Sequence, residues 1–213
     1  MKIFLDTEFY EFQPKAMRTI WSVDPAEPYL GQQPSMGLVP LSGANAVQLI
    51  SIGAVREDGE EFYAENSLFD WSVVPDDHWL QGNVRPYLFP HKSTPSKTRI
   101  CPPDQIAWEF RRFANAEFIN PSDKPEFWVW YGDYDWVVLC GLYGRMVDLP
   151  REFPMYARDI KQLHDDLHDR GYDVPRVPKP EHAHNALADA RWNKQMYERL
   201  VANQLDISAG RAR

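Results

Sequence analysis

Three short stretches carry side chains that could do chemistry together. The first is Asp6-Thr7-Glu8. If it lies on a strand, alternation sends Asp6 and Glu8 to one face. Two carboxylates on one face are costly unless solvated, paired or metal-bound, so a harmless place at the solvent edge is the competing reading. The second is Trp130-Tyr131-Gly132-Asp133-Tyr134-Asp135, where an apolar run gives way to a helical pattern. Asp133 is placed to cap that helix, and Asp135 falls in its first turn, where the dipole favours negative charge. The third is His182-Ala183-His184-Asn185-Ala186-Leu187-Ala188-Asp189. Asn185 can cap the last helix, which places Asp189 about one turn in and leaves His184 just before it. A helix carboxylate for a metal and a loop imidazole for proton transfer is one reading; a solvated helix start is the other.

Each stretch alone has an ordinary explanation, but their order along the chain is informative. Asp-x-Glu near the start, aromatic-Asp at a mid-chain turn and His-x4-Asp opening the C-terminal helix resembles the DEDDh exonucleases, a ribonuclease H-like group. Five blocks narrow the likeness: 6–9 (Asp-Thr-Glu-Phe), 48–55 (Gln-Leu-Ile-Ser-Ile-Gly-Ala-Val), 134–144 (Tyr-Asp-Trp-Val-Val-Leu-Cys-Gly-Leu-Tyr-Gly), 158–163 (Arg-Asp-Ile-Lys-Gln-Leu) and 184–191 (His-Asn-Ala-Leu-Ala-Asp-Ala-Arg). They are similar to those of the bacterial and phage 3'-5' exoribonucleases of the exoribonuclease AS type. The resemblance implies that Asp6, Glu8, Asp135 and Asp189 hold two divalent ions, Mg²⁺ or Mn²⁺, and that His184 is the general base. It implies single-stranded RNA as substrate, cut from the 3' end to nucleoside 5'-monophosphates. Single-stranded DNA, or nucleic-acid binding without catalysis, are the alternatives.

The chemistry suits those residue types. Phosphodiester hydrolysis needs an attacking hydroxide and a stabilised leaving oxygen, which two ions about 3.5–4 Å apart provide. Hard oxygen donors match Mg²⁺ or Mn²⁺. An imidazole with an unperturbed pKa of about 6.5 can take a proton near neutral pH. Phe9, Tyr134 and Trp136 flank the acids and are candidates to stack on the terminal base, with core packing as the alternative. A rival motif, His164-Asp165-Asp166-Leu167-His168, has two histidines at zinc-site spacing. It lacks a third ligand and flanks the core stripe of Ile160, Leu163 and Leu167, so packing explains it better.

The elements that must position these groups follow from periodicity. Strands are expected over 3–9, 46–55 and 61–65, the last two joined at Asp58-Gly59 as a hairpin. Helices are expected over 75–88, 104–118, 133–146, 159–170 and 185–204, with strands at 126–131 and 155–158. Segment 91–103 reads as a loop. Residues 11–45 hold five prolines and three glycines and read as a long loop or insertion in a single exonuclease domain spanning 1–213. The fold class is α/β: a ribonuclease H-like mixed sheet with helices on both faces.

Composition sets the outer limits. The chain has 213 residues, 44% hydrophobic and 25% charged, with a net charge of -8. Such an acidic balance argues against a protein that coats nucleic acid through phosphates, yet suits a site built from carboxylates. Cys101 and Cys140 are too few for a disulfide framework. The start resembles no signal peptide, and no apolar run approaches a membrane span. A cytoplasmic protein without membrane contact is expected, and the sequence leaves a homodimer open.

Overall fold

The structure, a computed structural model, describes residues 1–12, 46–89, 98–114, 124–172, 174, 176–180 and 182–208. Its six strands are β1 (Lys2–Phe12), β2 (Ala46–Arg56), β3 (Glu61–Asn66), β4 (Arg99–Cys101), β5 (Glu126–Val129) and β6 (Arg158–Asp159). They form one sheet in the order β4-β3-β2-β1-β5-β6. β2 is antiparallel to β1 and β3, while β5 runs parallel to β1. The helices are α1 (Trp79–Asn83), α2 (Pro103–Phe113), α3 (Asp133–Gly141), α4 (Ile160–Asp169) and α5 (Ala186–Ser208). The sheet is mixed with helices on both faces, an α/β arrangement compatible with a ribonuclease H-like fold.

β1 lies inside the sheet and is read from both sides. Ile3 and Leu5 join Ile52, Phe62, Ile106, Phe110 and Leu139 in the core under α2 and α3. Phe4 points the other way, into a core with Ile160, Trp192, Met196 and Leu200 from α4 and α5. Strand alternation then carries Asp6 and Glu8 to the α5 face with Phe4. The β1–β2 register slips between Glu8 and Phe9, so Ile50 is left as an extra residue on β2. Bulges of this kind often sit beside active sites, where they re-aim side chains.

One glycine sets where α5 begins. A Cβ on Gly53 would fall 2.2 Å from the carbonyl carbon of Ala186 and 2.3 Å from the nitrogen of Leu187. The backbone of the first turn of α5 therefore rests directly on β2, opposite Asp6 in the β1–β2 pairing. Asn193 donates from Nδ2 to the carbonyl of Leu5 at 2.8 Å, fastening the next turns to β1.

Several sequence expectations need correction. Segment 75–88 is not one helix but the five-residue α1 followed by a 3-10 turn at Arg85–Tyr87, after an earlier 3-10 turn at Trp71–Val73. Pro86 lacks an amide hydrogen and its ring would clash with a helical carbonyl four residues back, so α1 stops short. The expected loop at 91–103 contains β4, a three-residue strand too short to have a period. The expected helix at 133–146 ends at Gly141, and Gly144 then takes a φ of +104°. β6 is only Arg158–Asp159, and β5 ends at Val129. Of the expected loop at 11–45, Glu11 and Phe12 extend β1, and the rest lies outside the described residues, as do 115–118 of the helix expected over 104–118.

Gly53→Ala should therefore lift the start of α5 off the sheet. Overpacking against backbone costs about 1–3 kcal/mol, which urea denaturation would read as a lower midpoint. An unchanged midpoint would mean that α5 is not seated on Gly53.

Candidate active site

The site forms where the middle of β1, the start of α3 and the start of α5 meet. Glu8, Asp135 and Asp189 are all buried, and Asp6 is half-buried. Donor atoms of Glu8, His184 and Asp189 all lie within 4.8 Å of one another, a grouping able to hold a metal ion. Asp6 and Asp135 stand outside that trio but inside its electrostatic field.

Asp135 is held by β1 itself. Its Oδ1 accepts from the amide of Thr7 and from the Thr7 hydroxyl, both at 2.7 Å. Asp133 is exposed, and it is the first residue of α3 rather than its cap, a place taken by Gly132. A Cβ on Gly132 would meet the side chain of Val129 at 2.5 Å, so close packing rather than capping chemistry selects the residue before the helix.

Asn185 does cap α5: its Oδ1 accepts from the amide of Ala188 at 3.1 Å, and its carbonyl accepts from Asp189 at 3.0 Å. His184 takes a left-handed φ of 73°, unusual for a residue with a Cβ. Its amide donates to Oδ2 of Asp189 at 2.6 Å, which holds that conformation. The exposed imidazole meets the edge of Trp79, with ring centroids 4.6 Å apart and planes at 85°. His182 instead packs against Tyr87.

Burial and mutual repulsion dominate the electrostatics. Asp6 is pushed well above the carboxylate range by burial first, then by the charges of Asp135, Glu8 and Asp189. Burial and the charges of Asp189 and Asp135 push Glu8 up to about 8. Burial raises Asp135 to about 6, against the pull of its Thr7 hydrogen bonds. The Lys179 ammonium, 3.4 Å from Oδ1 of Asp189, opposes the rise at Asp6 and Glu8. A field that drives buried acids to keep protons is one that a divalent cation would relieve. The hard carboxylate oxygens fit Mg²⁺ or Mn²⁺.

The aromatic candidates divide. Phe9 and Tyr134 stack on each other at 5.5 Å with planes 8° apart, and Tyr134 is exposed. Trp136 is buried against Phe127 in the core, so it is not offered to a base. His164 approaches the carbonyl of Val174 through Nε2 at 3.1 Å and packs on Trp130, which accounts for it without zinc. Cys140 and Cys101 are buried free thiols. Among the described residues, no helix is long and apolar enough to cross a membrane.

Comparison with known proteins fixes the family. Residues 41–201 match the 3'-5' exoribonuclease Rv2179c-like domain. The chain belongs to that family. It is 36% identical over 174 residues to the 3'-5' exoribonuclease Rv2179c of Mycobacterium tuberculosis strain ATCC 25618 / H37Rv, covering 81% of this chain and 95% of the relative. The same figures hold for the 3'-5' exoribonuclease MT2234.1 of strain CDC 1551 / Oshkosh. Within this Rv2179c-like domain, Asp135, Asp189 and His184 fall inside the matched span, and Asp6 and Glu8 reach it from β1.

Two contributors had little signal in sequence. Thr7 stands between the two acids, but only its contact with a residue 128 positions away gives it a task. Lys179 lies in a stretch marked only by its prolines.

The raised acids give stability a definite pH dependence. An unfolded Glu titrates near about 4.3, whereas Glu8 holds its proton up to about 8. The folded state thus binds more protons across that window, so stability falls as pH rises through it. In EDTA the melting temperature should drop from about pH 5 to about pH 8. Glu8→Gln should match wild type at the acid end and melt above it at the alkaline end. A variant melting below wild type at about pH 8 would show that the charge on Glu8 is welcome without metal.

Proposed function

We propose that the chain is a metal-dependent 3'-5' exoribonuclease of the DEDDh type, acting on single-stranded RNA and releasing nucleoside 5'-monophosphates. The observation that carries this reading is the meeting of Glu8, His184 and Asp189 donor atoms within 4.8 Å, in a chain of an exoribonuclease family. Asp6, Glu8, Asp135 and Asp189 would hold two Mg²⁺ or Mn²⁺ ions. Such ions, when bound, activate the attacking water and stabilise the departing oxygen.

The chain's own residues do the rest. An imidazole nitrogen of His184 accepts the proton of the attacking water and passes it to solvent, to which the side chain is open. The hydrogen bond from the His184 amide to Asp189 and the contact with Trp79 fix where that nitrogen stands. Thr7 holds one oxygen of Asp135 and so fixes the orientation of its carboxylate. The exposed ring of Tyr134, backed by Phe9, offers a stacking face for the terminal base.

A 5'-labelled RNA oligomer incubated with Mn²⁺ tests this. Wild type should shorten it stepwise from the 3' end, and EDTA or Asp189→Asn should abolish the ladder. His184→Ala should lower the rate by about 10²–10⁴-fold, and Thr7→Val by about tenfold, the low end for a ligand-orienting partner because the hydrogen bond from its backbone N–H remains. Asp133→Asn should cut normally, whereas Asp135→Asn should not. Intact RNA with wild type, or a normal ladder from Asp189→Asn, would overturn the reading. Faster cutting of a matched DNA oligomer would move the substrate to DNA.

A further inference from the structure

The proposed reaction brings a polyanion to a site whose own side chains are acidic, in a chain of net charge -8. Something local must draw the strand in. The stretch immediately before His184 has the means. Arg176 and Lys179 lie three residues apart, with Pro178 between them and Pro180 after. Proline fixes φ and stiffens such a strap.

The strap is fastened to α5. The carbonyl of Val177 accepts from Nε1 of Trp192 at 2.9 Å, and its amide donates to Sδ of Met196 at 3.0 Å. Its two cations rest on an aromatic floor. The Lys179 Nζ stands 4.0 Å from the ring centroid of Trp192, and the Arg176 guanidinium carbon 5.2 Å from that of Trp130. Those two indoles pack edge to face at 5.0 Å. Cation–ring contacts of this kind hold a charged group in place while leaving its donors free to turn outward. Lys179, with its side chain 56% exposed, also reaches to 3.4 Å from Asp189. One end of the strap is therefore at the reacting centre, and the exposed Arg176 leads away from it.

We propose that the strap Arg176–Pro180 is a backbone clamp for single-stranded RNA, with Lys179 on a phosphate next to the reacting one and Arg176 on a phosphate farther along the strand. Three residues span at most about 10 Å, a reach suited to nearby phosphates of one strand. Lys161 stands over Tyr131, but both oxygens of Asp165 accept from its ammonium, whereas the Asp189 partner of Lys179 is a proposed metal ligand; Lys161 is no part of the clamp. The inference rests on the exoribonuclease reading of the adjoining site.

Phosphate contacts have a signature that general damage lacks: each one removed from a single strand reduces the salt dependence of log Kd by about 0.7. The test is fluorescence anisotropy with phosphorothioate RNAs of two and ten nucleotides in Mg²⁺, which coordinates sulfur poorly and so leaves them uncut, across a salt series. Arg176→Gln should weaken ten-nucleotide binding and lower its salt slope by about 0.7. Arg176→Gln with Lys179→Gln should lower it by about 1.4 and remove most of the advantage of the longer RNA. Arg176→Lys should restore the slope. A wild-type slope and length dependence in Arg176→Gln, which alters only an exposed side chain, would overturn the clamp while leaving the exoribonuclease reading intact. Wild-type protein that neither binds this ten-nucleotide RNA nor cuts its unmodified counterpart would overturn that reading and the clamp with it.

Discussion

Repulsion among four carboxylates gathered around the middle of β1 is the constraint around which the fold is arranged. Like charges in a partly desolvated site keep protons or attract a cation, and either state is costly to assemble. The structure meets that cost with a few fixed contacts. Thr7 donates twice to Asp135, the amide of His184 donates to Asp189, and Lys179 supplies a nearby positive charge. Asp6 and Glu8 stay raised because burial and their neighbours outweigh that single ammonium. A chain selected only for stability would place apolar or neutral groups here. Local costs of this kind are the mark of a site kept for its chemistry.

Holding the acids in register falls to two joints. At Gly53 the backbone of α5 touches β2 without a side chain between them, so the start of the helix is fixed against the strand that pairs with Asp6. Asn193 continues that attachment to Leu5. At Thr7 the same β1 segment that carries Asp6 and Glu8 also grips α3. One strand thus presents two acids and orients the third, and the helix brings the fourth with the histidine. The left-handed backbone of His184 follows from this economy, because the chain must turn sharply from the strap into α5 while its amide reaches Asp189.

Much of this was legible in the sequence because it depends on local patterns. Alternation in β1 put Asp6 and Glu8 on one face, the hairpin at Gly59 gave β2 and β3, and Asn185 marked the start of α5. Other parts were hidden because they depend on distant partners. Thr7 gains its role from a residue 128 positions away, and Gly53 from a helix that follows it by more than half the chain. Trp136 looked like a stacking residue from its place beside Asp135, but helix rotation turns it into the core. Asp133 looked like a cap by residue type, yet the close approach of Val129 put glycine there. β4 had too few residues for any period to appear.

The central claim is that the protonated acid cluster is a divalent-metal site, and metal binding must then displace protons. Calorimetric titration of the protein with Mn²⁺ near pH 7, repeated in buffers of different ionisation enthalpy, counts those protons directly. With Glu8 raised to about 8 and Asp6 raised well above its usual range, the account predicts binding with a net release of protons that diminishes in Glu8→Gln. Binding whose heat is the same in every buffer, or no binding at all, would contradict it.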